Sequence, residues 1–289
     1  MDRGHAAGVT KRLPVALTIA GSDSGGGAGI QADIRTLAAF GVHGASVVTA
    51  LTAQNTRGVR AIHYPPRRIV AAQIEAVLED FAVAAIKTGM LGNAEIVAVV
   101  AEALRPTSFP APRTTPSRGE RLAPFIVYDP VMTASSGQAL SEQGFVEAVR
   151  RELLPIVDCL TPNLAEAATL LGEPVARTEA DMTRQGEALL ELGPRAALMK
   201  GGHLAGDESV DIMVTRDGVH RYAAQRVASR NLHGTGCTLS SAIAANVVLG
   251  MALPEAVAAA KAFVRDAIER GRWIELGAGN GPVIQAKLR

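Results

Sequence analysis

Val15-Ala16-Leu17-Thr18-Ile19-Ala20-Gly21-Ser22-Asp23-Ser24-Gly25-Gly26-Gly27-Ala28-Gly29-Ile30-Gln31-Ala32-Asp33 decides the fold class. An apolar run of strand length leads into a glycine-rich loop, and a stretch of helical period follows, with Ile30, Ile34, Leu37 and Ala38 on one stripe. The alternation returns along the chain. Apolar runs at residues 45–53, 84–87, 125–129, 157–161 and 196–200 are separated mostly by helical stretches, such as the one carrying Ile69, Ile74, Val77, Leu78 and Phe81. That order predicts parallel strands joined by crossover helices. Because the runs are apolar at nearly every residue, helices are expected over both sheet faces, giving a three-layer α/β/α sandwich around a central, mostly parallel sheet.

The C-terminal region reads as two more helices, residues 237–249 and 255–270, with Gly250 ending the first and Pro254 opening the second. Residues 13–289 are read as a single domain, since no linker or internal repeat divides them, and residues 1–12 as a flexible tail. Residues 105–124 hold five prolines and four arginines and read as a mobile surface insertion.

Composition narrows the function. The chain has 289 residues, 48% of them hydrophobic, enough for a sizeable core. A net charge of +1 with 3% aromatics offers neither a basic face nor a stacking platform for nucleic acid, so a small-molecule partner is expected. Cys159 and Cys237 have no metal-binding spacing and suit a reducing compartment. Without a signal-peptide core or an apolar run of roughly 18 to 20 residues, the expectation is a cytoplasmic protein with no membrane contact.

Two glycine loops and several strand ends could carry chemistry. Within the first loop, Gly27-Ala28-Gly29-Ile30-Gln31-Ala32 formally fits the dinucleotide fingerprint G-x-G-x-x-A. That fingerprint wants an acidic residue at the end of the second strand, where this chain has Thr52-Ala53-Gln54-Asn55. An amide pair offers donor and acceptor together, which suits a heteroaromatic ring better than a ribose diol. The second loop, His233-Gly234-Thr235-Gly236-Cys237, runs directly into an apolar helix. Its unpaired N–H groups at a positive helix end could form an anion hole, although an ordinary Gly-Thr helix entry has the same sequence.

Asn163 and Glu166 sit three apart where a strand becomes a helix. They could hold Mg²⁺ against nucleotide phosphates, directly or through water, or simply form a capping box. Asp129 ends a strand, where parallel sheets bring their ligands, and Lys200-Gly201-Gly202 ends another, offering a cation to phosphates.

Taken in order, residues 17–23, 26–33, 49–56, 87–91, 129–132, 161–166, 199–203 and 233–239 resemble the hydroxymethylpyrimidine/phosphomethylpyrimidine kinases of thiamine biosynthesis, in the ribokinase-like superfamily. The resemblance implies an enzyme that uses ATP and Mg²⁺ to phosphorylate 4-amino-5-hydroxymethyl-2-methylpyrimidine and then its monophosphate, and a homodimer. It places Gln54, Gly21, Asp33 and Met90 at the pyrimidine. Lys200, Gly234 and Gly236 fall at the nucleotide phosphates, and Asn163, Glu166 and Asp129 around the metal and its waters. Gly234, Thr235 and Gly236 form the anion hole, with Cys237 facing the acceptor.

Many sugar kinases of that superfamily carry Asp where this chain has Cys237. A helix N-terminus is expected to lower a thiol pKa from about 8.5, making Cys237 a candidate base, while its ability to stay neutral would let an anionic acceptor approach. Pyridoxal kinases share these loops and are the alternative reading. A non-catalytic ligand-binding regulator on the same fold is more remote, as is a dehydrogenase.

Overall fold

The computed structural model describes residues 13–105, 123–133, 137, 138, 140–202, 204 and 206–286; the tail at 1–12 and most of the 105–124 insertion lie outside these. In chain order the elements are β1 (Val15–Asp23), α1 (Gly29–Ala39), β2 (His43–Asn55), β3 (Gly58–His63), α2 (Arg67–Asp80), β4 (Val83–Thr88), α3 (Ala94–Leu104), β5 (Phe125–Tyr128) and α4 (Phe145–Ala148). After them come β6 (Cys159–Leu160), α5 (Leu164–Leu171), α6 (Glu179–Leu190), β7 (Ala196–Lys200), β8 (Glu208–Thr215), β9 (Gly218–Gln225), α7 (Thr235–Val248) and α8 (Leu253–Gly271).

One nine-stranded sheet runs through them in the order β3-β2-β1-β4-β5-β6-β7-β8-β9. From β2 to β7 neighbouring strands are parallel, and antiparallel pairs close both edges. One face is covered by α2 to α6, through a core that includes Val70, Ile74, Ile96, Phe145, Leu164 and Met182. On the other face Leu37 of α1, Ala242 and Ile243 of α7, and Val257 and Ala260 of α8 are buried. The three-layer sandwich follows from sequence as expected, each of the larger apolar side chains, such as Ile74 or Leu37, contributing about 1.5–3 kcal/mol on full burial.

The edges differ from the sequence reading. β3, β8 and β9 are strands that the apolar runs did not mark: β3 and β9 are exposed on at least half their residues, and in β8, which is mostly buried, Asp211 interrupts the apolar run. Their signal lay in the turns. Asp217-Gly218 closes the β8–β9 hairpin with Thr215 paired to Gly218, and Gly218 takes φ +149°, as hairpin glycines do. The run at 157–161 shortens to a two-residue strand at β6.

Two features position the ligand site. The chain passes from β1 to β2 on one side and then crosses to β4 on the other, so the switch in winding falls between β1 and β4. In α7, Thr238 to Asn246 are all buried, so this helix lies inside the molecule with α1 and α8 packed beside it. Its first turn is thereby held by packing on several sides.

Candidate active site

A cavity of about 1600 Å³ opens at the carboxyl ends of the parallel strands. Its wall includes Gly21 from β1, Gln54 from β2, Met90 after β4, Asp129 after β5, Asn163 after β6 and Lys200 from β7. The first turn of α7 completes it with Gly234, Thr235, Gly236 and Cys237. All the residues expected from sequence at the pyrimidine, phosphates and metal therefore face one cavity, except Asp33.

The start of α7 is built on glycine for steric reasons. Gly234 takes φ +82°, and a Cβ there would overlap the carbonyl oxygen of Gly27. A Cβ on Gly236 would lie 3.2 Å from Lys200 Nζ and 3.3 Å from Asp129 Oδ2. The loop thus packs backbone-close against the first glycine loop on one side and the Lys200–Asp129 pair on the other. Among the described residues, no acceptor takes the N–H groups of Gly236 and Cys237, which remain at the positive end of α7 as donors for an anion.

Lys200 Nζ donates to Asp129 Oδ1 at 2.6 Å and lies 3.9 Å from Glu166 Oε2. Asp129 is 1% exposed and Glu166 8%, so both carboxylates are held largely out of water. The capping box considered from sequence is present: Asn163 Oδ1 accepts from the Glu166 N–H, and Glu166 Oε2 accepts from the Asn163 N–H. The Asn163 side chain is therefore committed to starting α5, and among the described residues no three acidic, His or Cys groups converge as a direct metal cage. The donor set still fits Mg²⁺, which keeps several waters and takes one or two carboxylates alongside nucleotide phosphates. Asp129 and Glu166 are the carboxylates available for it.

Burial pushes the Glu166 carboxyl up to about 7; nearby Lys200 pulls it down, and Asp129 pushes it further up. Between its ordinary 4.5 and about 7, the folded protein keeps a proton that the unfolded chain has released. This contribution to stability is complete below pH 4.5 and is lost as pH rises through about 7. Glu166→Gln, which preserves the capping box, should flatten that slope, which is at most about 1.4 kcal/mol per pH unit. Urea unfolding of the ligand-free protein at pH 5.5 and 7.5 measures it; equal slopes in both proteins would contradict the burial argument.

On the acceptor side, two expectations are corrected. Asp33 does not face the cavity. It is fully buried, and its carboxylate accepts from Thr18 Oγ1 at 2.7 Å, from Ser241 Oγ at 2.8 Å and from Lys87 Nζ at 3.0 and 2.9 Å. Lys87, which the sequence reading passed over, lines the cavity instead and carries Asp33 behind it. The ammonium pKa is raised: burial alone would lower it, but the Asp33 carboxylate and, further off, Asp129 favour the charged form.

The second correction concerns Cys237. Its thiol is pushed up to about 11, because burial and the carboxylates of Asp33 and Asp129 outweigh Lys87 and an N–H from Gly29. The expected lowering at a helix N-terminus does not win, so Cys237 is a neutral thiol at pH 7. Since only the thiolate reacts, alkylation of Cys237 by iodoacetamide should climb about tenfold per pH unit through pH 9. A plateau at or below the pH of an ordinary thiol would show that the site stabilises a thiolate after all.

The first glycine loop is wound around its own aspartate. Asp23 Oδ1 accepts from the Gly25 N–H at 2.8 Å, and Oδ2 from Gly27 and Ala28 at 3.0 and 2.9 Å. Those N–H groups are therefore unavailable to a pyrophosphate, which removes the dinucleotide reading. Asp23 Oδ2 also lies 2.9 Å from His233 Nε2, joining the two glycine loops. Sequence reasoning missed this pair, whose members stand 210 residues apart. Gln54 and Met90 face the cavity as expected, with Met90 Sδ only 3.1 Å from where a Cβ on Gly21 would stand.

The sequence model of the phosphomethylpyrimidine kinase family matches residues 23–284. The chain is 49% identical over 269 residues to the hydroxymethylpyrimidine/phosphomethylpyrimidine kinase of Rhizobium meliloti, spanning 93% of this chain and 96% of that protein. Among solved structures, phosphomethylpyrimidine kinase from Clostridium difficile is similar with a TM-score of 0.74 and 41% identity, over 89% of this chain and 100% of that one. Pyridoxal kinase from Staphylococcus aureus, in complex with AMP-PCP and pyridoxal, gives a TM-score of 0.83 at 30% identity, over 95% and 94%. The two measures rank these relatives differently. A TM-score reports the shared backbone path, which several activities can use, whereas the side chains that read a substrate follow sequence identity.

Proposed function

This chain belongs to the phosphomethylpyrimidine kinase family, and on that premise we propose that it phosphorylates 4-amino-5-hydroxymethyl-2-methylpyrimidine and then the resulting monophosphate, using ATP and Mg²⁺. The observation that carries the reading is the convergence at Gly236. There the unpaired N–H groups of α7, the Lys200 ammonium and the Asp129 carboxylate meet within hydrogen-bonding range of one small volume. Phosphoryl transfer needs little covalent help and much fixed charge around the three equatorial oxygens, which is what this corner supplies.

In this reading Lys200 touches the nucleotide phosphates, and Gly234, Thr235, Gly236 and Cys237 form the hole for the group in transfer. Asp129 and Glu166 would hold Mg²⁺, which would supply positive charge against the nucleotide phosphates. Gln54, beside Gly21 and Met90, presents a donor and an acceptor to the aminopyrimidine edge. The acceptor oxygen forms the new P–O bond as the bond to the β-phosphate oxygen breaks, and ADP leaves with that electron pair. A loose transition state sheds the alcohol proton late, to an oxygen of the transferred phosphoryl group and from there to water, so the neutral Cys237 thiol need not act as base. When the acceptor is itself a phosphate no proton must leave, and an uncharged Cys237 adds no repulsion.

The test supplies ATP and Mg²⁺ with the aminopyrimidine alcohol, its monophosphate, or pyridoxal in separate reactions and identifies products by mass. Diphosphate from the monophosphate supports the assignment. Product from pyridoxal alone would overturn it.

A further inference from the structure

We propose that His233 is a positioning residue for ring recognition: by donating its Nε2–H to Asp23, it fixes which end of the Gln54 carboxamide faces each side of the cavity. The inference rests on the reading that Gln54 contacts the substrate ring, and it adds how that contact acquires a direction.

Proton counting supplies the argument. Asp23 already accepts from three backbone N–H groups, those of Gly25, Gly27 and Ala28. Its pKa is lowered, burial being outweighed by the His233 hydrogen bond and the N–H groups of Ala28 and Gly25, so it is a carboxylate that can only accept. The 2.9 Å contact to His233 therefore requires a proton on Nε2.

That proton restricts Gln54. Its Nε2 stands 3.3 Å from His233 Nε2, and its Oε1 stands 3.1 Å from Thr52 Oγ1. With His233 Nε2 protonated, this arrangement sets one N–H against another. A half-turn of the carboxamide relieves the conflict and satisfies each group in turn. Gln54 oxygen then takes the longer arm of a hydrogen bond that the His233 N–H shares with Asp23, its NH₂ donates to Thr52 Oγ1, and the Thr52 hydroxyl donates to the Ser22 carbonyl oxygen, 3.0 Å away.

One amide N–H and one lone pair remain for a ligand, with the donor on the Thr52 side and the acceptor on the His233 side. A ring bound there is oriented with its nitrogen acceptor toward Thr52 and its exocyclic amino donor toward His233. Steric packing keeps the imidazole in place, because a Cβ on Gly27 would overlap the His233 ring. Asp23, Gln54 and His233 all line the cavity.

Nitrogen-15 NMR of the histidine-labelled wild-type protein, with the His233 signal assigned by its loss in His233→Phe, reads the tautomer directly. A protonated Nε2 is expected, and a bare Nε2 overturns the proposal without any enzyme assay. Steady-state kinetics give the functional arm. His233→Phe should raise KM for the aminopyrimidine alcohol about tenfold, the worth of roughly one net hydrogen bond. It should leave KM for ATP nearly unchanged and reduce the preference over a ring lacking the amino group. His233→Gln, which keeps a donor at that place, should restore most of the preference. An unchanged ring preference in His233→Phe, or an equal loss toward ATP, would sink the idea. If the wild-type enzyme ignores the aminopyrimidine altogether, the function reading fails while the NMR result still stands on its own.

Discussion

Gly234→Ala is expected to lower kcat/KM by about 100-fold or more while leaving a folded protein, because misplacing a reacting group by about 1 Å can cost that much. Two effects combine at this residue. Its φ of +82° belongs to the left-handed region, which costs a side-chain-bearing residue about 1–2 kcal/mol. The added methyl would also overlap the Gly27 carbonyl, a backbone atom that moves only if the whole first glycine loop moves with it. The start of α7 must therefore shift, and the N–H groups of Gly236 and Cys237 shift with it, off the line to Lys200. Gly250→Ala is the matched control. It follows the other end of α7, has φ +92°, and has open space around its Cβ position. It should cost only the backbone strain and leave kcat/KM near the wild-type value. Equal activity losses in the two variants would show that the Gly27 contact is not what places the phosphate-binding turn.

The sheet was legible because its inner strands are covered on both faces, so Leu17, Ile19, Val127 and Leu198 could be apolar without regard to alternation. The edge strands carry only half that constraint and went unmarked, although the turn residues Asp217-Gly218 at one hairpin were a signal for them. At the site, positions at the ends of their own elements could be placed on the cavity from sequence. Gln54, Asp129 and Lys200 end strands and face the cavity as expected. Residues whose role is set by a distant partner were not. Asp33 looked like a ligand-facing acid until Lys87, Thr18 and Ser241 enclosed it. Cys237 looked like an activated thiol until burial, together with two carboxylates from other parts of the chain, outweighed the helix end. Local sequence announces helix dipoles and glycine turns; it does not announce which charges will be folded in beside them.

Asp33→Ala should destabilise the protein by about 3–5 kcal/mol, the usual cost of leaving one member of a buried ion pair without its partner. Lys87 is 1% exposed, and its ammonium donates to both oxygens of a carboxylate that is 0% exposed. Without Asp33 it must stay charged and unpaired or give up a proton that the surroundings now hold firmly. The same carboxylate also ties Ser241 of α7 to Thr18 of β1, so the loss reaches the helix that carries the phosphate-binding turn. Adding Lys87→Met together with Asp33→Asn removes both charges, keeps similar volumes and leaves an amide for the two hydroxyls. Such replacements are often close to neutral, so this double variant should recover most of the lost stability in a urea titration. Its activity then reports on the charged pair with the fold intact. Full stability with reduced turnover would assign the ammonium an electrostatic part at the cavity floor, whereas full stability with full turnover would make the pair purely architectural. If Asp33→Ala unfolds at the wild-type urea midpoint, the pair contributes nothing net, and the packing of α1 against α7 must hold this corner without it.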